Sequence, residues 1–144
     1  CWKTSCVTSL KLVIDTNILI SAALSAQGAP AKLVRLALAH HRLVFSQATL
    51  SELRTRIYRP KFDRYISLES RERLLHDFNA SAFWVDVGEP AVYCRDRDDD
   101  HFIEAALKAQ ANYLVSGDKD LLEAPALAGL RIVSVHQALD ALAN

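Results

Sequence analysis

Short apolar runs alternate with helical patterns along the chain, and this alternation constrains the fold more than any other feature of the sequence. Five runs rich in β-branched and other apolar residues are predicted strands: Leu10–Ile14, Arg42–Phe45, Ala82–Val85, Ala111–Val115 and Leu130–Val133. Because strands separated by helices favour parallel pairing, we expect an α/β fold with a parallel sheet covered by helices on both faces.

Local signals bound the helices expected between these strands. Pro30 suits the first turn of one helix, Pro60 ends another, and Ser67 is a suitable N-cap for the next. Together the patterns predict helices at residues 17–24, 31–40, 46–58, 68–78, 101–109 and 135–143, with a short helical turn from Asp118.

The length of the chain indicates one domain. Its 144 residues fall within the usual size of a single domain, and no linker or repeat divides them. We expect the domain to span residues 10–144, with residues 1–9 as an N-terminal extension outside the fold. An apolar fraction of 51% and a charged fraction of 24% are ordinary for a soluble protein with a sizeable core.

Charge, hydropathy and cysteine content limit the expected partners and cellular location of the protein. The 17 basic and 17 acidic residues cancel, so net charge gives no indication of a nucleic-acid partner. No apolar run approaches the roughly 20 residues of a membrane span, and the first residues lack the apolar region of a signal peptide. The 3 cysteines have no zinc-ligand spacing, and we expect reduced thiols in a cytoplasmic protein.

Four acidic residues lie where the predicted topology concentrates binding sites. Asp15 ends the first strand, and Asp118 comes three residues after the fourth. Asp100 opens the helix before the fourth strand, and Glu52 lies within the helix after the second. Ligands of open α/β sheets bind beyond the carboxyl ends of the strands. If the first and fourth strands are neighbours, all four carboxylates could therefore converge.

Each of these residues also has a purely structural explanation. Asp15 could close an Asx turn, while Asp100 and Asp118 could cap helical segments. Glu52 fits a capping box with Thr49. Together, however, four uncompensated carboxylates in one cleft would repel each other and raise their own pKa values. A hard cation that takes oxygen ligands would neutralise them, and Mg²⁺ or Mn²⁺ suits such a site.

Four segments around these residues resemble the motifs of PIN domains. They are Val13–Asn17, Glu52–Leu53, Asp100–Ala106 and Asn112–Leu121. Within the family the chain most resembles VapC-like toxin components of toxin–antitoxin pairs. The resemblance implies a three-layer α/β/α fold with a five-stranded parallel sheet and the activity of a metal-dependent ribonuclease. It also implies a homodimer and a cognate antitoxin that occupies the cleft.

The metal-site hypothesis gives roles to individual residues. The expected metal ligands are Asp15, Asp100 and Asp118, and the catalytic set adds Glu52. Asp98 or Asp99 could be the ligand in place of Asp100. The expected supporting residues are Asn17, Ser116, Asp98 and Asp120, and His101 has no expected catalytic role. In this hypothesis, water activated by one or two cations hydrolyses an RNA phosphodiester, and Glu52 orients that water.

A basic segment follows Glu52 along the chain. Its candidate contacts for RNA phosphates are Arg54, Arg56, Arg59 and Lys61. Aromatic residues interleave with these cations, and such rings can stack on bases. The alternative is a solvated helix face whose aromatic side chains point into the core.

A catalytically silent PIN-like scaffold that binds RNA or a protein partner is the main alternative function. Its signature would be a missing acidic residue, and none of the four is missing. A phosphoacceptor receiver domain has a similar sheet, but residues 130–135 offer no lysine at the end of the fifth strand. A haloacid-dehalogenase-like phosphatase would carry Asp-x-Asp after the first strand, where this chain has Asp15-Thr16-Asn17. Both rank below the metal-dependent ribonuclease.

Overall fold

The strands form one parallel sheet. The computed structural model describes residues 9–86, 100–123 and 129–143, without the side chains of Asp100 and Asp120. The strands in these ranges are β1 (Lys11–Ile14), β2 (Arg42–Phe45), β3 (Phe83–Trp84), β4 (Tyr113–Val115) and β5 (Arg131–Val133). All pairings between them are parallel, and each strand overlaps a predicted one. The prediction of a five-stranded parallel sheet is therefore confirmed.

The order of the strands is β3-β2-β1-β4-β5, so β1 is central. From β1 the chain builds outward through β2 to β3, and then returns to place β4 against the other edge of β1. Ile14 at the end of β1 is the register partner of Val115 at the end of β4. A reversal of strand order of this kind leaves a crevice at the carboxyl ends of the two strands, where ligands of open sheets bind.

Helices connect the strands, close to the predicted positions. They are α1 (Thr16–Leu24), α2 (Ala29–His40), α3 (Gln47–Ile57), α4 (Leu68–Ser81), α5 (Asp100–Ala109), α6 (Lys119–Leu122) and α7 (Val135–Ala143). A short 3₁₀ helix, Pro60–Phe62, lies between α3 and α4. The helix α4 continues past its predicted end at Phe78 and ends at Ser81. In its last turn, the backbone carbonyl of Asn79 accepts a hydrogen bond from the indole N–H of Trp84. Within the described ranges, no helix has the length and apolar character needed to cross a membrane.

Alternate residues of the strands face two separate cores. On one face, Leu12 and Val115 pack with apolar residues of α1, α2, α3, α4 and α7. On the other, Val13 and Leu114 pack with the buried face of α5 and with Leu121 of α6. The sheet therefore lies between two helical layers, which confirms the predicted three-layer α/β/α architecture.

The start of α3 corrects one interpretation of the sequence. Ser46 is the N-cap, and its hydroxyl accepts a hydrogen bond of 3.2 Å from the backbone N–H of Thr49. The Thr49 hydroxyl in turn accepts one of 2.9 Å from the backbone N–H of Ser46. The capping box is thus formed by Ser46 with Thr49. The interpretation of Thr49 and Glu52 as a capping box was wrong, because Thr49 already lies in the first turn of the helix. Glu52 therefore has no capping role.

A buried arginine fixes the segment between α3 and α4. The Arg71 side chain is 1% exposed, and its guanidinium donates hydrogen bonds to Asp63 Oδ1 at 3.0 Å and to the Ile66 carbonyl at 2.8 Å. It also lies 5.8 Å from the centre of the Tyr58 ring. These contacts fix the residues on both sides of the short 3₁₀ helix.

Removing the cap of α3 should destabilise the fold. We expect Ser46→Ala to lower the free energy of unfolding by about 1 kcal/mol, because the Thr49 N–H loses its acceptor inside the protein. Ser51→Ala is the matched control, since Ser51 is exposed on the same helix. Urea unfolding followed by circular dichroism compares the two variants. Equal stability of both would contradict the assigned cap.

Candidate active site

Asp15 is a buried carboxylate at the centre of the candidate site. It directly follows β1, is the N-cap of α1, and is only 5% exposed. Its Oδ1 accepts a hydrogen bond of 3.0 Å from the backbone N–H of Ile18, and its Oδ2 accepts one of 2.5 Å from the Ser116 hydroxyl. The backbone of Gly117 also donates to it. A carboxylate offers about four acceptor positions, so these three donors leave room for a further ligand.

Ser116 joins the ends of β1 and β4. Its side chain is fully buried, and its backbone N–H donates to the Val133 carbonyl at 2.9 Å. While the hydroxyl donates to Asp15, its oxygen accepts a hydrogen bond of 2.9 Å from the backbone N–H of Asp118. One serine therefore orients the Asp15 carboxylate and also fixes the backbone of Asp118.

Asp15 and Asp118 share a surface cleft, as the sequence predicted. The cleft has a volume of about 320 Å³. We call it the acidic cleft, and it is lined by Asp15, Asn17, Ile18, Ser21, Gly117 and Asp118. Its position at the carboxyl ends of β1 and β4 is the crevice that the strand order creates.

The acidic cleft disfavours negative charge at its centre. Burial raises the pKa of the Asp15 carboxyl above the usual value of 3.8, and the nearby charge of Asp118 raises it further. The hydrogen bonds from Ser116, Ile18 and Gly117 oppose this effect without cancelling it. Two carboxylates in this arrangement gain from any cation that binds between them.

Glu52 lies next to the acidic cleft but does not line it. Its Oε2 accepts a hydrogen bond of 2.5 Å from the Thr16 hydroxyl, and its Oε1 lies 3.4 Å from the Arg56 guanidinium and 3.2 Å from His101 Nε2. Burial opposes ionisation of Glu52, but its contacts with His101, Thr16 and Arg56 outweigh burial and lower the pKa of its carboxyl.

The contact of His101 with Glu52 places the first turn of α5 beside the site. Asp100 is the first residue of that helix, next to His101. The alternatives Asp98 and Asp99 lie outside the described residues, as do the side chains of Asp100 and Asp120. The choice among the three adjacent aspartates, and the supporting role of Asp120, stay predictions.

Three of the four predicted RNA-binding residues line a second cleft. This basic cleft, of about 280 Å³, is lined by Asn17, Ile20, Ser21, Leu24, Arg56, Arg59, Lys61 and Phe62. Arg54 is exposed and lines neither cleft. Among the interleaved aromatics, Tyr58 and Phe62 pack partly against the core, whereas Tyr65 is 64% exposed.

Comparison with known proteins identifies the family. A model of the PIN domain matches residues 11–120, most of the chain. The chain belongs to the PIN domain family. An uncharacterized protein of Methanocaldococcus jannaschii (MJ1680) is 32% identical over 115 residues, which cover 78% of this chain and 74% of that protein. PIN domains are generally nucleases that use divalent metal ions.

A solved structure shares the fold of this PIN domain. It is VapBC2 from Rickettsia felis bound to a DNA fragment from their promoter, with a TM-score of 0.58. The similarity covers 87% of this chain and 98% of that one, at 15% sequence identity. At 15% sequence identity, this similarity shows a shared fold alone.

The donors of the acidic cleft fit a hard divalent cation. Asp15 and Asp118 offer carboxylate oxygens and Asn17 an amide oxygen. Mg²⁺ commonly binds through one or two carboxylates and keeps several waters. Among the side chains that the structure describes, no three His, Cys, Asp or Glu residues lie close enough to hold a metal by themselves. The described part of this PIN domain thus brings together two of the three expected ligands.

Sequence reasoning missed two residues at the edge of the site. Thr16 is 1% exposed and binds Glu52, yet nothing but its place between Asp15 and Asn17 could have indicated this. His101 contacts Glu52 across two helices, and no local pattern reports such a contact. The pairing of Arg56 with Glu52 was detectable, because residues four apart on a helix are neighbours.

The burial of Asp15 predicts that its charge destabilises the PIN domain when no metal is bound. Because the pKa of Asp15 is raised, its contribution to stability is present below pH 3.8 and is lost as the pH rises through the raised value. Asparagine caps a helix as well as aspartate and cannot ionise. In EDTA, we expect the melting temperature of Asp15→Asn relative to the wild type to rise as the pH rises from 3.8 to 7, because only the wild type must ionise a buried carboxyl.

The control is Asp77→Asn, which neutralises an exposed carboxylate on α4. It should change stability by less than about 0.5 kcal/mol. Differential scanning calorimetry over a pH series makes the comparison. If the difference between Asp15→Asn and the wild type does not change with pH, burial does not oppose the charge of Asp15.

Proposed function

We propose that this PIN domain is a metal-dependent endoribonuclease that hydrolyses phosphodiester bonds of RNA. The observation that carries the proposal is the meeting of Asp15 and Asp118 in one cleft, at the carboxyl ends of two adjacent parallel strands. Membership of a family of nucleases supports the same reaction class.

Asp15 and Asp118, with Asp100, would hold Mg²⁺ or Mn²⁺. When bound, the cation neutralises the carboxylates and acidifies water for attack on phosphorus. Ile18 and Ser116 fix the two oxygens of Asp15, so the carboxylate keeps one orientation while substrate enters. That preorganisation reduces the rearrangement needed before reaction.

Glu52 is proposed to orient the attacking water. Its lowered pKa keeps it ionised at neutral pH, so it can accept a hydrogen bond from a water. Thr16 and Arg56 hold its two oxygens from different sides, which limits its side-chain motion. Asn17 and Ser116 are supporting residues: Asn17 faces the acidic cleft, and Ser116 lies behind it.

The proposed biological role is that of the toxin of a toxin–antitoxin pair. Two observations support it: the resemblance of the sequence to VapC-like toxin components within the PIN family, and the fold shared with VapBC2 from Rickettsia felis. In this role the protein acts in the cytoplasm as a homodimer, and a cognate antitoxin blocks the acidic cleft. A small adjacent gene encoding a protein with a DNA-binding fold would be consistent with such a pair.

A cleavage assay tests the proposed activity. We expect the chain to cut single-stranded RNA with Mg²⁺ or Mn²⁺ and not with EDTA. Asp15→Asn and Asp118→Asn should each lower the rate by about 100-fold or more, because a catalytic cation contributes several kcal/mol to the transition state. Asp77→Asn, the exposed control on α4, should cleave at the wild-type rate.

The same assay separates the proposal from a catalytically silent scaffold. A silent scaffold would bind RNA and leave it intact under every metal condition. Cleavage that persists in Asp15→Asn would instead place the chemistry elsewhere on the molecule. Either result contradicts the proposed function.

A further inference from the structure

The basic cleft adjoins the acidic cleft along one helix. Asn17 and Ser21 line both clefts, and they lie four residues apart on the exposed side of α1. Residues at that spacing lie one above the other on a helix, about 6 Å apart along its axis. A chain bound at the acidic cleft therefore needs only a short step along α1 to reach the basic one.

Every ionisable side chain in the described lining of the basic cleft is positively charged. Arg56, Arg59 and Lys61 contribute cations, and no acidic residue belongs to the part of the lining that the structure describes. Arg56 is already engaged, since it contacts Glu52 and donates a hydrogen bond of 3.3 Å to Asn17 Oδ1. Arg59 and Lys61 make no ion pair with any described residue. Two cations in this cleft are thus available to an anion.

The aromatic residue of the basic cleft is poorly placed to stack on a base. Phe62 packs partly against the core, and the Lys61 ammonium lies 5.2 Å from the centre of its ring. Beside its apolar side chains, among them Ile20 and Leu24, the cleft presents the cationic groups of Arg59 and Lys61. Cationic groups of this kind bind phosphate, which is the same in every nucleotide, so their contacts carry no sequence information.

We propose that the basic cleft is a phosphate subsite for the nucleic-acid backbone next to the bond that is cut, with Arg59 and Lys61 as its ligands. The proposal rests on the nuclease function proposed above and adds where the substrate backbone runs. It divides the predicted RNA-binding residues: Arg59 and Lys61 bind phosphate, Arg56 positions Glu52 and Asn17, and Arg54 takes no part. Arg71 fixes Asp63 and Ile66, directly after the Pro60–Phe62 segment, so the backbone that carries the subsite is anchored to the domain.

Salt-dependent binding tests the subsite without any cleavage. The full chain in EDTA binds a fluorescent single-stranded RNA oligonucleotide, and anisotropy gives Kd at several salt concentrations. For Arg59→Gln/Lys61→Gln we expect Kd to rise roughly tenfold and the slope of log K against log salt to fall by about 1.4, or about 0.7 for each lost phosphate contact. The loss should be equal for RNA, for single-stranded DNA and for different base sequences.

The matched control is Arg54→Gln/Lys32→Gln. It removes one arginine and one lysine from exposed positions that line neither cleft. Its Kd and salt slope should stay close to those of the wild type. All four positions are exposed, so melting temperatures should confirm that both variants fold.

Several results would overturn the subsite. One is an equal salt slope for the two double variants, and another is a loss of affinity in Arg59→Gln/Lys61→Gln that depends on base sequence. A wild type that does not bind RNA at low salt would also overturn it. So would an acidic peptide that binds the wild type as tightly as RNA does and loses the same affinity in the double variant. Because the assay contains no metal, the outcome is independent of catalysis. A chain that binds with the expected slopes but never cleaves would contradict the proposed nuclease and leave Arg59 and Lys61 only as binders of the nucleic-acid backbone.

Discussion

The pairing of β1 with β4 is the constraint on which the candidate site depends. Its register sets Ile14 opposite Val115, so the residues that follow each strand meet although they lie 101 positions apart in the chain. The hydrogen bond from Ser116 to Asp15 then locks the two strand ends together. A shift of one residue in this register would turn the side chains to the other face of the sheet and separate the carboxylates.

The segment after β1 organises the site through three consecutive side chains. Asp15 binds Ser116 at the end of β4, Thr16 binds Glu52 on α3, and Asn17 accepts a hydrogen bond from Arg56 on the same helix. Successive residues in the first turn of a helix point in different directions, so one short motif reaches two distant elements. The motif therefore connects the acidic cleft, the neighbouring glutamate and the basic cleft in one bonded network.

Periodicity and the general rules of parallel topology were sufficient to predict the alternating strands and helices and a binding site at the carboxyl ends of the strands. The meeting of Asp15 with Asp118 was predicted only on the condition that the first and fourth strands are neighbours, and the structure meets that condition. The sequence was insufficient for Thr16 and His101, whose roles depend on how α1, α3 and α5 pack against each other. The capping box of α3 was assigned to Thr49 and Glu52 because two overlapping Ser/Thr patterns occur there. The observed N-cap at Ser46 shows that Ser46 and Thr49 form the box. Long-range side-chain contacts leave no periodic trace in one sequence.

The central claim is that a divalent cation binds between Asp15 and Asp118. Crystals soaked in Mn²⁺ and measured at a wavelength where manganese scatters anomalously test it most directly. The account predicts an anomalous peak in the acidic cleft, about 2.1 Å from a carboxylate oxygen of either residue. An empty cleft in crystals that otherwise take up manganese, or a peak only at a distant surface, would contradict it.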